Sequence, residues 1–169
     1  MKRQRRKYQT PPTPYDRERI ASEREVVKSF GLRSKKELWK SEGMLRKYRR
    51  LARELVAHYD EIKENMIKEK LVKMGILNKE STLDSILGLS LENFLNRRLQ
   101  TVIQKKGLAN TQRQARQFIT HGHVMIDNRK VTFPSYLVSV DDESKIVVKT
   151  TPVKKANSGE IDGKATTAN

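Results

Sequence analysis

Apolar residues recur at helical spacing along most of this chain, and the breaks in that spacing mark its joints. Ile20, Val27 and Phe30 share one face of a first segment. Thr13-Pro14-Tyr15-Asp16 opens it as a capping box with proline at the first helical position, and Gly31 closes it. Ser34-Lys35-Lys36-Glu37 opens a longer helix whose Leu38, Leu45, Leu51 and Leu55 point inward. Lys40, Arg46, Lys47, Arg49, Arg50 and Arg53 lie largely outward on it. Trp39, the single tryptophan, fits an anchor between these two helices better than a platform for stacking bases. A third helix is predicted over 60–75, with Ile62, Met66 and Val72 or Met74 on its apolar side and alternating acids and lysines elsewhere. Residues 78–90 read as a connector with one short turn at 82–87.

The stretch from Ser90 to Lys130 organises the rest. Leu91, Leu95, Leu99, Val102 and Ile103 form the apolar stripe of one helix, capped by Ser90 with Glu92 in its first turn. Off the stripe lie Arg97, Arg98, Thr101, Gln104 and Lys105. Gly107 stops the helix and Leu108 folds back on it. Thr111-Gln112-Arg113-Gln114 has the form of a capping box for a second helix, with Ala115, Phe118 and Ile119 inward. Arg113, Arg116 and Gln117 share its outer face.

After Gly122 the period changes from helical to alternating. Residues 123–126, Lys130-Val131, 137–140 and 146–148 read as short strands. Ile126-Asp127-Asn128-Arg129 is a hairpin turn in which Asn128 tolerates positive φ. Asp141, Asp142, Glu143 and Ser144 form a turn expected to point away from the arginine face. The fold class is therefore α+β. An extended basic arm over 1–13 and a helical domain over 14–89 precede two helices packed on a small antiparallel sheet over 90–149. A disordered tail follows over 150–169.

Charge adds a partner to this picture. The 169 residues carry 36 Lys and Arg against 20 acids, a net +16, with a mean hydropathy of −0.77. So lean a chain gains part of its order from a partner, and so basic a chain points to a polyanion. Residues 1–50 hold most of the excess; residues 51–100 are balanced. Between Arg97 and Lys130 eight Lys and Arg (97, 98, 105, 106, 113, 116, 129, 130) meet a single acid, Asp127. A solvated basic surface is the plain reading of such a face. Here the arginines come with planar partners (Gln114, Gln117, His121, His123, Asn128) and a capped helix start, which suit phosphate and base-edge recognition. Nucleic acid is the favoured partner. A membrane surface competes, yet no apolar run is long enough for a span and the basic start leads into Pro and Tyr, unlike a signal peptide. The arm itself places five cations at positions 2–7, with Tyr8 and Tyr15 available to stack on bases; a solubilising tail is the alternative.

Residues 97–131, RRLQTVIQKKGLANTQRQARQFITHGHVMIDNRKV, resemble the S-four-type RNA-binding domain, and PSYLV at 134–138 matches its continuation. Three flanking segments, 6–20, 29–55 and 83–100, are similar to the archaeal form of the small-subunit ribosomal protein family for which that domain is named. One departure is the hairpin, where the family's Val-Asn-Gly becomes Ile126-Asp127-Asn128. The resemblance implies a structural constituent of the small ribosomal subunit that binds small-subunit ribosomal RNA early. It also implies roles in subunit assembly and translational accuracy, and a cytoplasmic place in the ribosome. Implied partners are that RNA and neighbouring ribosomal proteins, with the chain a monomer inside the particle and no membrane contact. A ribosome-biogenesis factor of the same architecture is the alternative.

The expected RNA contacts are Arg97, Arg98, Lys105, Lys106, Thr111, Arg113, Gln114, Arg116, Gln117, His121, His123, Asn128 and Lys130 in the motif. Arg3, Arg5, Arg6 and Lys7 join them from the arm, and Arg46, Lys47, Arg49 and Arg50 from the long helix. No catalytic, metal or cofactor site is expected. Cysteine is absent, His121 and His123 flank a helix-to-strand junction without converging, and neither a phosphate-binding glycine loop nor a nucleophile elbow is present.

Overall fold

The computed structural model describes residues 7–78 and 80–149. Helices α1 (Arg17–Ser29), α2 (Lys35–Ala57), α3 (Glu61–Lys73), α4 (Leu83–Leu87) and α5 (Leu91–Asn96) make up its first part. Then come α6 (Leu99–Lys105), α7 (Gln112–Thr120), β1 (Val124–Ile126), β2 (Arg129–Lys130), α8 (Val140–Glu143) and β3 (Ile146–Val148). The three strands form one antiparallel sheet in the order β2-β1-β3, with Met125 opposite Lys130 and Val147. The α+β class holds.

Local chemistry explains where elements begin and end. Helix α1 starts at Asp16, three residues beyond the expected Thr13 cap. The Asp16 carboxylate accepts from the N–H groups of Glu18 and Arg19, while the Thr13 and Pro14 carbonyls are taken by the Arg19 guanidinium. Ser34 caps α2 as expected. The hairpin between β1 and β2 is tight because Asp127 (φ 48°) and Asn128 (φ 62°) both adopt the left-handed conformation, which gives a two-residue turn of the type matched to strand twist. Thr111 Oγ1 caps α7, accepting from the Gln114 N–H, but the Gln114 side chain accepts from Asn110 and leaves the capping box half made.

Three expectations are corrected. The single helix over 90–106 is two helices, broken at Arg97-Arg98. Arg98 adopts extended backbone, the Leu99 N–H donates to the Tyr136 carbonyl at 2.8 Å, and the Val138 N–H donates to the Arg97 carbonyl at 2.9 Å. Leu137 is thereby drawn into an isolated bridge with Arg98. The strand expected at 137–140 does not join the sheet, and Val140 begins a short helix capped by Ser139. In α3 the apolar side is turned: Ile62 and Met66 are 74% and 65% exposed, while Leu71 is buried and Ile67 packs beside it. The helix has two apolar ridges roughly a third of a turn or more apart, and the 67/71 ridge meets Leu45, Ala52 and Ile86.

The core is split into three clusters. Leu99, Val102, Ile103, Ala115, Ile119, Val124, Ile126, Val138 and Ile146 join α6, α7 and the sheet. Leu45, Ala52, Leu71, Ile86, Leu89 and Phe94 join α2, α3, α4 and α5. Leu32, Leu38 and Leu95, with Val27 and Trp39 against them, close α1 onto α2. Helix α5 thus packs with the first part of the chain. Among the described residues no helix is long and apolar enough to cross a membrane.

Candidate nucleic-acid interface

Helix α2 presents its cations along one side, and the arm lies against them. Lys7, Tyr8, Gln9, Gly43, Arg46, Lys47, Arg50 and Arg53 line a cleft of about 590 Å³ whose charged residues are all cationic. Arg46 donates to Gln9 Oε1 at 3.1 Å and pairs with Glu42 at 3.2 Å. Arg50 pairs with Glu54 at 3.3 Å, both side chains well exposed, so solvent and salt weaken that bond and leave the guanidinium available. Lys47 and Arg53 have no carboxylate partner among the described residues. The arm passes close to α2 at Gly43, where a Cβ would sit 3.4 Å from the Lys7 carbonyl oxygen, a close van der Waals contact.

The arm is therefore not a free extended segment over its described residues. Tyr8 packs on Trp39 with ring centroids 6.0 Å apart, and it is this tyrosine that is half-buried, whereas Tyr15 is exposed. Trp39 serves as the expected anchor: its Nε1–H donates to Glu23, and its ring lies against Leu38 and its neighbours. Arg3, Arg5 and Arg6 lie outside the described residues.

A second cleft of about 340 Å³ shares Lys7 with the first, so the two adjoin at that residue. Its walls are Lys40, Ser41 and Met44 of α2 on one side and Pro134, Ser135 and Leu137 on the other, with Glu37, Arg98 and Arg116 also lining it. Glu37 accepts from Arg98 Nη2 at 2.5 Å and from Arg116 Nη2 at 2.8 Å. Burial pushes the Glu37 carboxyl up, but the hydrogen bonds and charges of Arg116 and Arg98 outweigh it and hold the carboxyl below its ordinary range. Burial likewise lowers the proton affinity of Arg98, with the Glu37 charge opposing.

The expected outer face is corrected at these arginines. Arg98 is 4% exposed and Thr101 is buried, because the break at Arg97-Arg98 turns both inward. Arg116 is half-buried on Glu37, so Arg113 and Gln117 hold the outer face of α7 without it. Arg97 pairs with Glu143 at 2.8 Å and donates to the Val138 carbonyl at 3.0 Å. Lys106 Nζ reaches the Glu143 carbonyl. The acidic turn therefore does not point away from the arginines; it holds one of them. On α2, Arg49 is turned inward to the Leu89 carbonyl at 2.6 Å.

Of the remaining motif residues, His121, His123 and Lys130 gather at the far end of α7. His121 is its C-cap, and the His121 and His123 rings lie 6.3 Å apart and nearly parallel. The Lys130 side chain crosses Gly122 between them. Asn128 is in the hairpin turn, and Lys105 is exposed at the end of α6. Lys40, Lys7, Arg113 and Lys130 have no carboxylate partner among the described residues. Cations thus extend from the α2 cleft through Lys7 and Lys40 to Arg116 of α7. Sequence reading passed over Glu37, Gly43 and Gln100 as parts of this site. The isolated glycine inside an otherwise regular helix was the one available signal.

From Arg97 onward the chain has two helices packed on a hairpin-bearing sheet, and the family model of the S4 domain matches residues 97–144. The likeness extends well beyond that module. The small ribosomal subunit protein uS4 of Saccharolobus solfataricus is 46% identical over 149 residues, covering 86% of this chain and 82% of its own length. Its counterpart in Methanothermobacter thermautotrophicus is 44% identical over 156 residues, 89% of this chain and 91% of its own. That of Halobacterium salinarum is 45% identical over 139 residues, 82% of each. The chain belongs to the uS4 family of small ribosomal subunit proteins.

Proposed function

We propose that this chain is a structural constituent of the small ribosomal subunit, present as a monomer in that particle in the cytoplasm and binding small-subunit ribosomal RNA directly. The observation that carries the proposal is the correspondence with uS4 proteins along more than four-fifths of both chains. The physical chemistry agrees with it. The row of cations that lines the α2 cleft neutralises phosphates, and the forks of Arg46, Arg50, Arg53 and Arg113 suit their oxygens. Gln117, His121, His123 and Asn128 supply planar groups for bases and sugars beside Lys130. The work is recognition without turnover. Holding RNA segments in one geometry is what a role in subunit assembly and in decoding accuracy requires, and neighbouring subunit proteins complete the contacts.

In this reading the arm spans 1–13 and the tail 150–169, and the division between the helical domain and the S4 domain falls at Asn96–Arg97 instead of residue 90, because Phe94 and Leu95 complete the helical clusters. The test is sedimentation of cell extract with detection of this chain. Stoichiometric presence in mature small subunits, lost on ribonuclease treatment, is expected. Presence in precursor particles alone would make it a biogenesis factor and overturn the proposal.

A further inference from the structure

The seam between the two parts of the chain is held by directional polar contacts, and one carboxylate is at their centre. Burial of apolar surface is non-directional, so separate cores pressed together do not fix an angle. Guanidinium forks on a carboxylate do, because each N–H has a set direction. Glu37 is in the first turn of α2, Arg98 precedes α6, and Arg116 is in the middle of α7. Three elements therefore converge on two oxygens, at 2.5 Å and 2.8 Å. Beside them the buried Gln100 amide donates to the carbonyls of Gly31 at 3.0 Å and Gln112 at 2.9 Å, tying the end of α1 to the start of α7. The approach is close enough that a Cβ at Gly31 would lie 2.6 Å from that of Gln112. Glu37, Arg98 and Arg116 line the smaller cleft, whose walls come one from each part of the chain.

We propose that Glu37 is a positioning residue for RNA binding. It touches no RNA itself; it clasps Arg98 and Arg116 so that the cationic row of α2 and the outer face of α7 stand at a fixed separation and engage two segments of one folded RNA together. The inference rests on the RNA-binding reading above and names the device by which its two surfaces act as one. Two surfaces on a rigid frame gain affinity over either alone without new contacts, and a loosened frame loses that gain.

The test uses the full chain, whose lack of cysteine allows spin labels at Ala57→Cys and Thr132→Cys, both exposed and outside the interface. Distances between labels are measured without RNA, and affinity for transcribed small-subunit ribosomal RNA is measured over a range of salt, in wild type, Glu37→Gln and Arg116→Met. The expected result for folded Glu37→Gln is a broadened distance distribution, about tenfold or more weaker binding, and a shallower salt slope from fewer phosphates held at once. Arg116→Met broadens the distribution too, which loss of a direct RNA contact would not do. It also keeps the inference testable if Glu37→Gln fails to fold, since an unbroadened distribution in Arg116→Met then overturns it. Wild-type distances and affinity in folded Glu37→Gln would overturn it as well. Failure of the wild-type chain to bind the RNA would instead overturn the functional reading, while the distance result would still judge the clasp.

Discussion

The indole Nε1–H of Trp39 donates to Oε1 of Glu23 at 3.1 Å, joining α2 to a buried carboxylate of α1. Arg19 at 2.6 Å and Lys35 at 2.8 Å complete the shell of that acid. Replacing Glu23 by Ala leaves two cations and an indole donor without their acceptor. Both cations retain some access to water, so the loss is about 1–3 kcal/mol, below the value for a fully buried pair. Urea unfolding followed by tryptophan fluorescence measures it, and an unchanged midpoint would contradict the account.

Acid should weaken the protein through Glu23 and Glu37. At Glu23 burial raises the carboxyl, and Lys35, Trp39 and Arg19 more than reverse the shift; at Glu37 Arg116 and Arg98 do the same. A folded-state value below the unfolded one means that the native chain binds fewer protons. The stability from both groups is then complete above the ordinary glutamate range, about 4.3, and lost as pH falls through the depressed folded values. Melting temperatures should hold steady down to about pH 5 and fall below it, with a shallower fall in Glu37→Gln. A melting temperature that climbs on acidification would refute the assignment.

Ile119→Ala should cost about 2–5 kcal/mol, because its side chain is fully buried between α7 and the sheet. Phe118→Ala should cost less, since that ring only leans on the cluster and meets His123 edge-on at 6.3 Å. Chemical denaturation of the two variants side by side gives the order.

Salt dependence separates the cation row from bulk charge. Neutralising Lys47, Arg50 and Arg53 with glutamine should lower the slope of log affinity against log salt by about two, at roughly 0.7–0.9 per phosphate contacted. The same number of neutralisations at Arg24, Lys28 and Lys70, exposed cations outside the two clefts, should leave the slope nearly parallel to wild type. Equal effects from both sets would remove the α2 cleft from the interface.

Asn128→Gly should stabilise the hairpin by about 0.5–1 kcal/mol, because glycine adopts the left-handed conformation without the steric cost that Asn128 bears at φ 62°. A hydrogen-exchange measurement at Val131, whose N–H donates to Val124 across the hairpin, reports the gain.

Local signals were the readable ones. Ser34, Thr111, Gly107 and Gly122 mark helix ends in the sequence, and they mark them in the structure, because caps depend on neighbours three or four residues away. The break at Arg97-Arg98 was hidden, because its cause is the backbone of Tyr136 and Val138, forty residues on. The site divides in the same way. Exposed cations such as Arg46, Lys47 and Arg113 follow from helical spacing. Arg98 and Arg116 share the same composition signal, yet their engagement depends on Glu37, which sequence places sixty or more positions away. In α3 two ridges compete on equal terms locally, and the distant Leu45, Ala52 and Ile86 select Leu71 over Met66.

The way the two helical clusters around α2 are completed has a consequence during synthesis. Leu38 is sealed by Leu95, and Leu45 shares its cluster with Phe94, so the apolar stripe of α2 lacks part of its cover until about fifty further residues have been added. At roughly 5–20 residues per second that interval lasts some seconds. For that time the newborn α2 is a cationic amphipathic helix whose greasy side is only partly claimed, by α1, and its first durable fold waits on α5.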